Sequence, residues 1–143
     1  MQMDFKGINA EELSFKLNRV KLAPDSKLDI KPQFSRQVRK VNGNEKLNFI
    51  SLSVKIESTE AEPKPFDILV TLVGAFEFDV KDTNEERRCV IEATKIIYPY
   101  LRSAVTNLTA SAFIAPLNLP VIQGAIFPED KDTYAFTVSD TIN

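Results

Sequence analysis

The chain has 143 residues, of which 43% are hydrophobic and 27% are charged, and its formal net charge is −2. This length predicts a single domain that folds on its own, and the composition argues against disorder along most of the chain. The absence of histidine removes the commonest metal ligand, and the small net charge gives no overall attraction to nucleic acid.

Two β-strands are predicted before residue 42. Alternating apolar and polar residues from Leu13 to Leu22 predict a half-buried strand with an irregularity near Asn18. Alternation resumes over residues 27–41, where Pro32 cannot donate a ladder hydrogen bond and places the strand at an edge or a bulge. The basic stretch KPQFSRQVRK, residues 31–40, is either a polyanion contact or a solvated strand face, and flanking acids favour the solvated face.

A hairpin and two further strands are predicted between residues 42 and 80. The Asn42-Gly43 step between two alternating runs predicts the hairpin turn. The run FDILVTLVGAFEFDV, which begins at Phe66, is apolar on both faces, as is typical of a central strand. Gly74 within this run predicts a bulge or a close approach of another backbone. The predicted buried face of the returning hairpin strand contains Leu47, Phe49, Leu52, Val54 and Ile56.

A long amphipathic helix is predicted next, because apolar residues recur every three or four positions from Val90 to Leu108. Thr83 and Glu86 form a predicted capping box at its start, and Pro99 in its middle predicts a kink. The apolar residues cover a wider arc than one sheet can bury, so we predict a homodimer or homotetramer. The predicted oligomer interface consists of Val90, Ile97, Tyr98, Pro99, Tyr100, Leu101 and Val105.

No residues in the sequence form a recognisable catalytic or cofactor motif. Phosphate-binding glycine loops, Cys-x-x-Cys and Gly-x-Ser-x-Gly are missing, and the carboxylate pairs Glu11-Glu12, Glu85-Glu86 and Glu129-Asp130 are predicted to be solvated caps. Cys89 has no histidine to activate it and is predicted to be a buried apolar group. We therefore expect no enzyme activity, no cofactor and no metal.

The location of the protein is predicted from the start of the sequence and from its hydropathy. The opening MQMDFKGINAEELSF has no charged region followed by an apolar core, and no apolar run approaches the roughly 18 residues of a membrane span. A cytoplasmic protein without membrane insertion is expected.

The helix and the loop after it carry a family resemblance. The loop FIAPLNLPVI is apolar, although connecting segments usually lie in water, which indicates either contact with another molecule or a buried loop in a monomer. IIYPYLRSAVTNL followed by AFIAPLNLPVI resembles the signature region of SecB-type protein-export chaperones. Weaker similarity in the strands extends the resemblance to about residues 10–122.

The resemblance implies an α+β domain in which a four-stranded antiparallel sheet carries a long kinked helix on one face. It also implies an ATP-independent holdase whose groove, lined by the sheet and the loop, binds unfolded polypeptide clients, for protein export or for a dedicated client. The peptide-binding residues expected on this basis are Phe34, Phe113, Pro116, Leu117, Leu119, Pro120, Val121, Ile122 and Phe127. The alternative is a non-chaperone adaptor that uses the same loop for one folded partner.

The sequence also departs from the family pattern. Residues 1–143 are predicted to form one SecB-like domain, but residues 123–143 lack the family's second helix and acidic tail, and they predict coil and a short strand around TYAFTV. The family docks the motor ATPase SecA through acidic positions on the sheet. Glu12 fits such a position, whereas Lys16 and Leu69 replace expected acids. SecA binding is therefore doubtful.

Overall fold

The structure is a computed structural model that describes residues 2–20 and 30–131. Its elements are the strands β1 (Gln2–Leu17), β2 (Gln33–Val41), β3 (Asn44–Ile56) and β4 (Phe66–Asp79), followed by the helix α1 (Thr83–Ser111). The strands form one antiparallel sheet in the order β1-β4-β3-β2, and α1 packs against one face of it. The predicted α+β class, the four strands and the long helix are confirmed.

Strand β1 differs most from its prediction. It begins at Gln2 rather than near Leu13, and it pairs with β4 as far as Leu17, opposite Phe66. Register shifts lie between Phe5 and Gly7 and between Ala10 and Glu12, not near Asn18. The long partner strand β4 supplies backbone hydrogen bonds along the whole segment, so tertiary pairing overrides the weak alternation of its polar residues.

The hairpin and the central strand agree with their sequence patterns. Gly43 has a φ of +87° in the turn between β2 and β3, which is a conformation that glycine adopts without steric cost. Strand β2 is an edge strand that begins directly after Pro32. Strand β4 lies between β1 and β3, and its even-numbered residues face α1.

The buried face of β3 was predicted only in part. Ile50, Leu52, Val54 and Ile56 are fully or almost fully buried beneath α1. Leu47 and Phe49 are odd-numbered, so the two-residue period of a strand places them on the opposite face, where they are half-buried. Their assignment to the same face as Val54 was wrong, because a shift of one position exchanges the faces.

The first turn of α1 is capped differently from the prediction. Asp82, not Thr83, is the N-cap, and its carboxylate accepts a hydrogen bond of 2.8 Å from the Glu85 backbone N–H. The Glu85 carboxylate in turn accepts a hydrogen bond of 2.7 Å from the Lys81 backbone N–H. The capping arrangement exists, but it is shifted by one residue. Pro99 lies inside the helix, as expected.

The basic stretch at residues 31–40 is neutralised by carboxylates. Each of its four cations has an acidic partner: Lys31 with Glu62, Arg36 with Asp130, Arg39 with Glu11, and Lys40 with Glu86. This pairing supports a balanced strand surface over a polyanion contact. Within the described ranges, no helix is long and apolar enough to cross a membrane.

The end of the described chain forms no strand. Residues 115–127 have no regular structure, and residues 128–131 form one helical turn. The strand predicted around TYAFTV begins beyond residue 131 and lies outside the described residues.

Candidate functional site

The candidate site is the loop of residues 113–123, which leaves the C-terminal end of α1 and returns along that helix. The helix ends at Ser111 with Ala112 as its C-cap, and Phe113 follows with a φ of +61°. A left-handed conformation is uncommon for a bulky residue other than glycine. Phe113 is nevertheless 95% exposed, so no burial of its ring offsets that cost.

A ladder of side chains from α1 fixes the backbone of this loop. The Thr109 hydroxyl accepts a hydrogen bond of 2.8 Å from the Leu117 N–H. The Thr106 hydroxyl donates a hydrogen bond of 3.1 Å to the Leu117 carbonyl oxygen. One turn before Thr106, Arg102 Nε donates a hydrogen bond of 2.9 Å to the Leu119 carbonyl. One turn earlier again, the Tyr98 hydroxyl donates a hydrogen bond of 2.6 Å to the Pro120 carbonyl. The loop therefore runs antiparallel to the helix.

The spacing of the ladder follows from helix geometry. Tyr98, Arg102, Thr106 and Thr109 are separated by four, four and three positions, which places them along one face of α1. Because these side chains satisfy the loop's polar backbone groups, the loop can keep an apolar sequence next to the helix. This pattern was visible in the sequence as polar residues at helical spacing, but their role was not predicted.

The anchored backbone decides which loop side chains are exposed. Leu119 points into the core and is 2% exposed, whereas Val121 is 70% exposed. Among the other predicted peptide-binding residues, Phe113, Pro116 and Pro120 are exposed, Phe34, Leu117 and Ile122 are half-buried, and Phe127 is buried. Leu119 and Phe127 therefore support the loop from within rather than present surface to a ligand.

A buried ion pair holds the segment after the loop against strand β2. Arg36 donates to both carboxylate oxygens of Asp130, with 3.1 Å between Nη2 and Oδ1, and it also donates 3.1 Å to the Thr94 hydroxyl. Its guanidinium carbon lies 4.6 Å from the centroid of the Phe127 ring. Both charged side chains are largely buried, so the prediction of Asp130 as a solvated cap was wrong.

Desolvation affects two titratable side chains on α1. Burial raises the pKa of the Tyr98 hydroxyl, against a smaller lowering by the Arg102 charge, so the hydroxyl keeps the proton that it donates to the Pro120 carbonyl. Burial likewise raises the pKa of Cys89, which is fully buried and remains a thiol at neutral pH. These environments stabilise neutral groups and do not activate a nucleophile.

The predicted oligomer-interface residues separate into two groups. Ile97, Leu101 and Val105 are fully buried and Tyr98 is 5% exposed, because they pack onto the sheet within one protomer. Val90 is half-buried, and Pro99 and Tyr100 are exposed. Of the predicted interface residues, Pro99, Tyr100 and part of Val90 are therefore the ones accessible to a partner.

The side of α1 next to strand β1 has an exposed aromatic patch. The Phe5 ring stacks on Phe76 with 5.1 Å between centroids and lies 6.2 Å from the Tyr100 ring. Phe5 and Tyr100 are 38% and 48% exposed, and Leu13 on the same strand is 53% exposed. The sequence predicted strand β1 only from Leu13 onwards, so it did not reveal that Phe5 belongs to this patch.

The four-stranded antiparallel sheet and the long helix match the fold of SecB-like chaperones. The family model described as preprotein translocase subunit SecB matches residues 2–132. The chain therefore belongs to the SecB family, and the match extends beyond the range over which the sequence resemblance was recognised. Among the described residues, no group of three or more potential ligand side chains could hold a metal ion.

Two further proteins are similar to this chain, one in structure and one in sequence. The structure is similar to the Mycobacterium tuberculosis Rv1957 SecB-like chaperone in complex with a ChAD peptide from the Rv1956 HigA1 antitoxin. The TM-score is 0.70 at 18% sequence identity, over 87% of this chain and 93% of the other. The sequence is 28% identical to the uncharacterized protein MJ0357 of Methanocaldococcus jannaschii, over 86% of this chain and 80% of that protein.

Proposed function

We propose that this protein is an ATP-independent holdase that binds unfolded or extended polypeptides in the cytoplasm, as a homodimer or homotetramer. Membership of a chaperone family that is not enzymatic supports this function. The similar mycobacterial chaperone is described as a complex with a peptide, which supports a polypeptide as the ligand. The clients are either proteins destined for export or one dedicated protein.

The observation that carries the proposal is the exposure of Phe113 and Val121 at the two ends of an anchored loop. A single exposed apolar side chain is common on soluble proteins and needs no explanation. Phe113 differs because its backbone is also held in a left-handed conformation, and strained backbone conformations cluster at binding sites. The ladder from α1 fixes the loop backbone between them, so both side chains are pre-positioned. Pre-positioned apolar groups bind an extended chain at a smaller entropic cost.

The proposed function is tested by diluting a chemically unfolded, aggregation-prone protein into buffer with an excess of this chaperone and without nucleotide. Light scattering should fall in its presence. Equal aggregation with and without the protein would refute the holdase function.

A substitution at Phe113 tests the loop as the binding surface. Phe113→Asn removes the ring, and asparagine tolerates the left-handed conformation better than phenylalanine. We expect weaker suppression of aggregation, with a free energy of unfolding that is unchanged or higher by up to about 1 kcal/mol. Val38→Ser is the control, because Val38 is an exposed apolar residue on strand β2 and is not part of the loop. Equal suppression by both variants would exclude a role for Phe113.

Leu119 is unsuitable for such a test, although the sequence placed it in the binding loop. Its side chain belongs to the buried core, so replacing it with serine would destabilise the fold by creating a cavity around a polar group. A loss of binding in that variant would not distinguish a binding role from a structural one.

The second candidate function is an adaptor that binds one folded partner through the same loop. Leu119 and Phe127 are buried, so the loop offers less exposed apolar surface to diverse clients. This smaller surface favours the adaptor function. An adaptor would not suppress the aggregation of unrelated unfolded proteins, so the dilution experiment separates the two functions.

Binding to SecA is expected to be weak. Lys16 lies opposite Asp67 and Leu69 lies opposite Ser14, on the sheet face that α1 does not cover. These positions present a cation and an apolar side chain where the family has acids. Titration calorimetry should detect little binding, whereas tight, salt-sensitive binding would restore a role in export.

A further inference from the structure

A cavity of about 110 Å³ lies between the middle of α1 and the end of the anchored loop together with the residues that follow it. Apolar groups form most of its wall, including the exposed Pro99 ring and the Val121 side chain at its mouth. The residues that line it are Lys95, Tyr98, Pro99, Arg102, Val121, Ile122, Gly124 and Ile126. Its volume suits one short aliphatic side chain.

Two of the polar groups around the cavity hold the loop in place. The Tyr98 hydroxyl donates to the Pro120 carbonyl, and Arg102 Nε donates to the Leu119 carbonyl. These bonds fix the position of the loop backbone relative to the helix on one side of the cavity. The cavity is thus a fixed feature of the surface.

The charge at the cavity is positive. None of the eight lining residues is acidic, although the whole chain has a formal net charge of −2. Lys95 pairs with Glu92 at 3.3 Å, which balances its charge. The two Nη atoms of Arg102 have no partner within the described part of the chain, and Nε alone is engaged there. The planar guanidinium matches the geometry of a carboxylate.

We propose that this cavity is a subsite for a polypeptide segment in which an aliphatic side chain is followed by a carboxylate. The aliphatic group occupies the space between Pro99 and Ile126, and the carboxylate accepts hydrogen bonds from Arg102 Nη. This inference rests on the proposed polypeptide binding and gives it a sequence preference. The preferred segments pair an apolar residue with an adjacent aspartate or glutamate.

The test uses three fluorescein-labelled peptides that share one apolar sequence and differ at the position after a central leucine, which is aspartate, asparagine or lysine. Fluorescence anisotropy with the full-length protein should show about three- to fivefold tighter binding of the aspartate peptide than of the asparagine peptide. The lysine peptide should bind most weakly. The preference should shrink as salt is raised, because an exposed ion pair is screened.

Two arginine variants locate the effect. Arg102→Gln should reduce the ratio between the aspartate and asparagine affinities to about one, because it removes the cation. Arg39→Gln, on the opposite face of the sheet, should keep the wild-type ratio, since Arg39 pairs with Glu11 far from the cavity. Circular dichroism checks that each variant is folded. If Arg102→Gln does not fold, the proposal is tested on the wild type alone. The order of affinities of the three peptides, and the loss of that order at high salt, then decide whether a carboxylate is preferred.

The outcomes separate this inference from the proposed function. Equal binding of all three peptides at low salt would overturn the carboxylate preference and leave polypeptide binding intact. Binding of none of them would overturn both. A preference retained in Arg102→Gln would place the selectivity elsewhere and refute this site.

Discussion

Gly74 lies on strand β4 against helix α1, where space is too small for a side chain. A Cβ atom at this position would lie 2.6 Å from Phe76 Cε2 and 3.1 Å from Ile97 Cδ1. Both neighbours are fully buried, so a Cβ atom here requires them to shift within the core. The sequence predicted a bulge or the close approach of another backbone here, but Gly74 pairs in regular register with Ile8 and Ile50, and the groups that crowd it are side chains of β4 and α1.

Replacement of Gly74 by alanine should therefore destabilise the protein, by about 1–3 kcal/mol, because overpacking displaces buried neighbours. Gly7→Ala is the control, since nothing lies within 4 Å of a Cβ atom there. Urea unfolding monitored by circular dichroism measures both. Similar midpoints for the two variants would show that the core accommodates the added methyl group.

The Arg36–Asp130 pair should contribute more to stability than an exposed pair, since its side chains are 13% and 6% exposed. Asp130→Ala leaves the Arg36 charge buried without its carboxylate, and we expect a loss of about 3 kcal/mol. Glu11→Ala removes the partner of Arg39 in a pair that is 56% and 48% exposed, and should cost at most about 1 kcal/mol. Equal losses in denaturant unfolding would contradict the buried environment.

At the scale of elements, helix α1 provides a direct comparison between a sequence pattern and the cap that forms. The sequence pattern predicts Thr83 as the N-cap residue. In the structure the N-cap is Asp82, whose carboxylate accepts a hydrogen bond from the Glu85 N–H. Asp82→Ala should lower the free energy of unfolding by about 1 kcal/mol. Thr83→Ala should change it by only a few tenths, because Thr83 lies inside the helix as its first residue. Thermal unfolding that ranks the two variants in the opposite order would restore the capping box.

Strand β1 shows how pairing extends an element. Its residues from Gln2 to Glu12 alternate poorly, and the two register shifts move an extra residue out of the ladder at Lys6 and at Glu11. Each shift restores the alignment of apolar side chains with the helix-covered face of β4. The Glu11 side chain, displaced in this way, pairs with Arg39 of strand β2.

At the scale of the whole molecule, the exposed apolar patch of Phe5, Leu13 and Tyr100 is the surface that we propose for self-association. Light scattering should give a mass of two or four times 16.1 kDa at micromolar concentration. Phe5→Ser combined with Tyr100→Ser should lower the mass, while Val38→Ser on the opposite edge strand should not. A monomeric wild type would refute the assembly.

The sequence by itself determined the features that depend on local chemistry. The glycine of the hairpin turn, the two-faced apolar run of β4 and the helical spacing of α1 each follow from neighbouring residues. The loop motif was specific enough to indicate the SecB family, which the match over residues 2–132 shows.

The tertiary structure decided whatever depends on partners distant in the chain. Arg36 and Asp130 are 94 residues apart, so neither the ion pair nor its burial has a local signal. Exposure within the loop was likewise decided by the helix, because Arg102 and Tyr98 fix the backbone that directs Leu119 inward and Val121 outward. Periodicity specifies which side chains share a face of an element, but only packing against other elements specifies which of them remain free to bind.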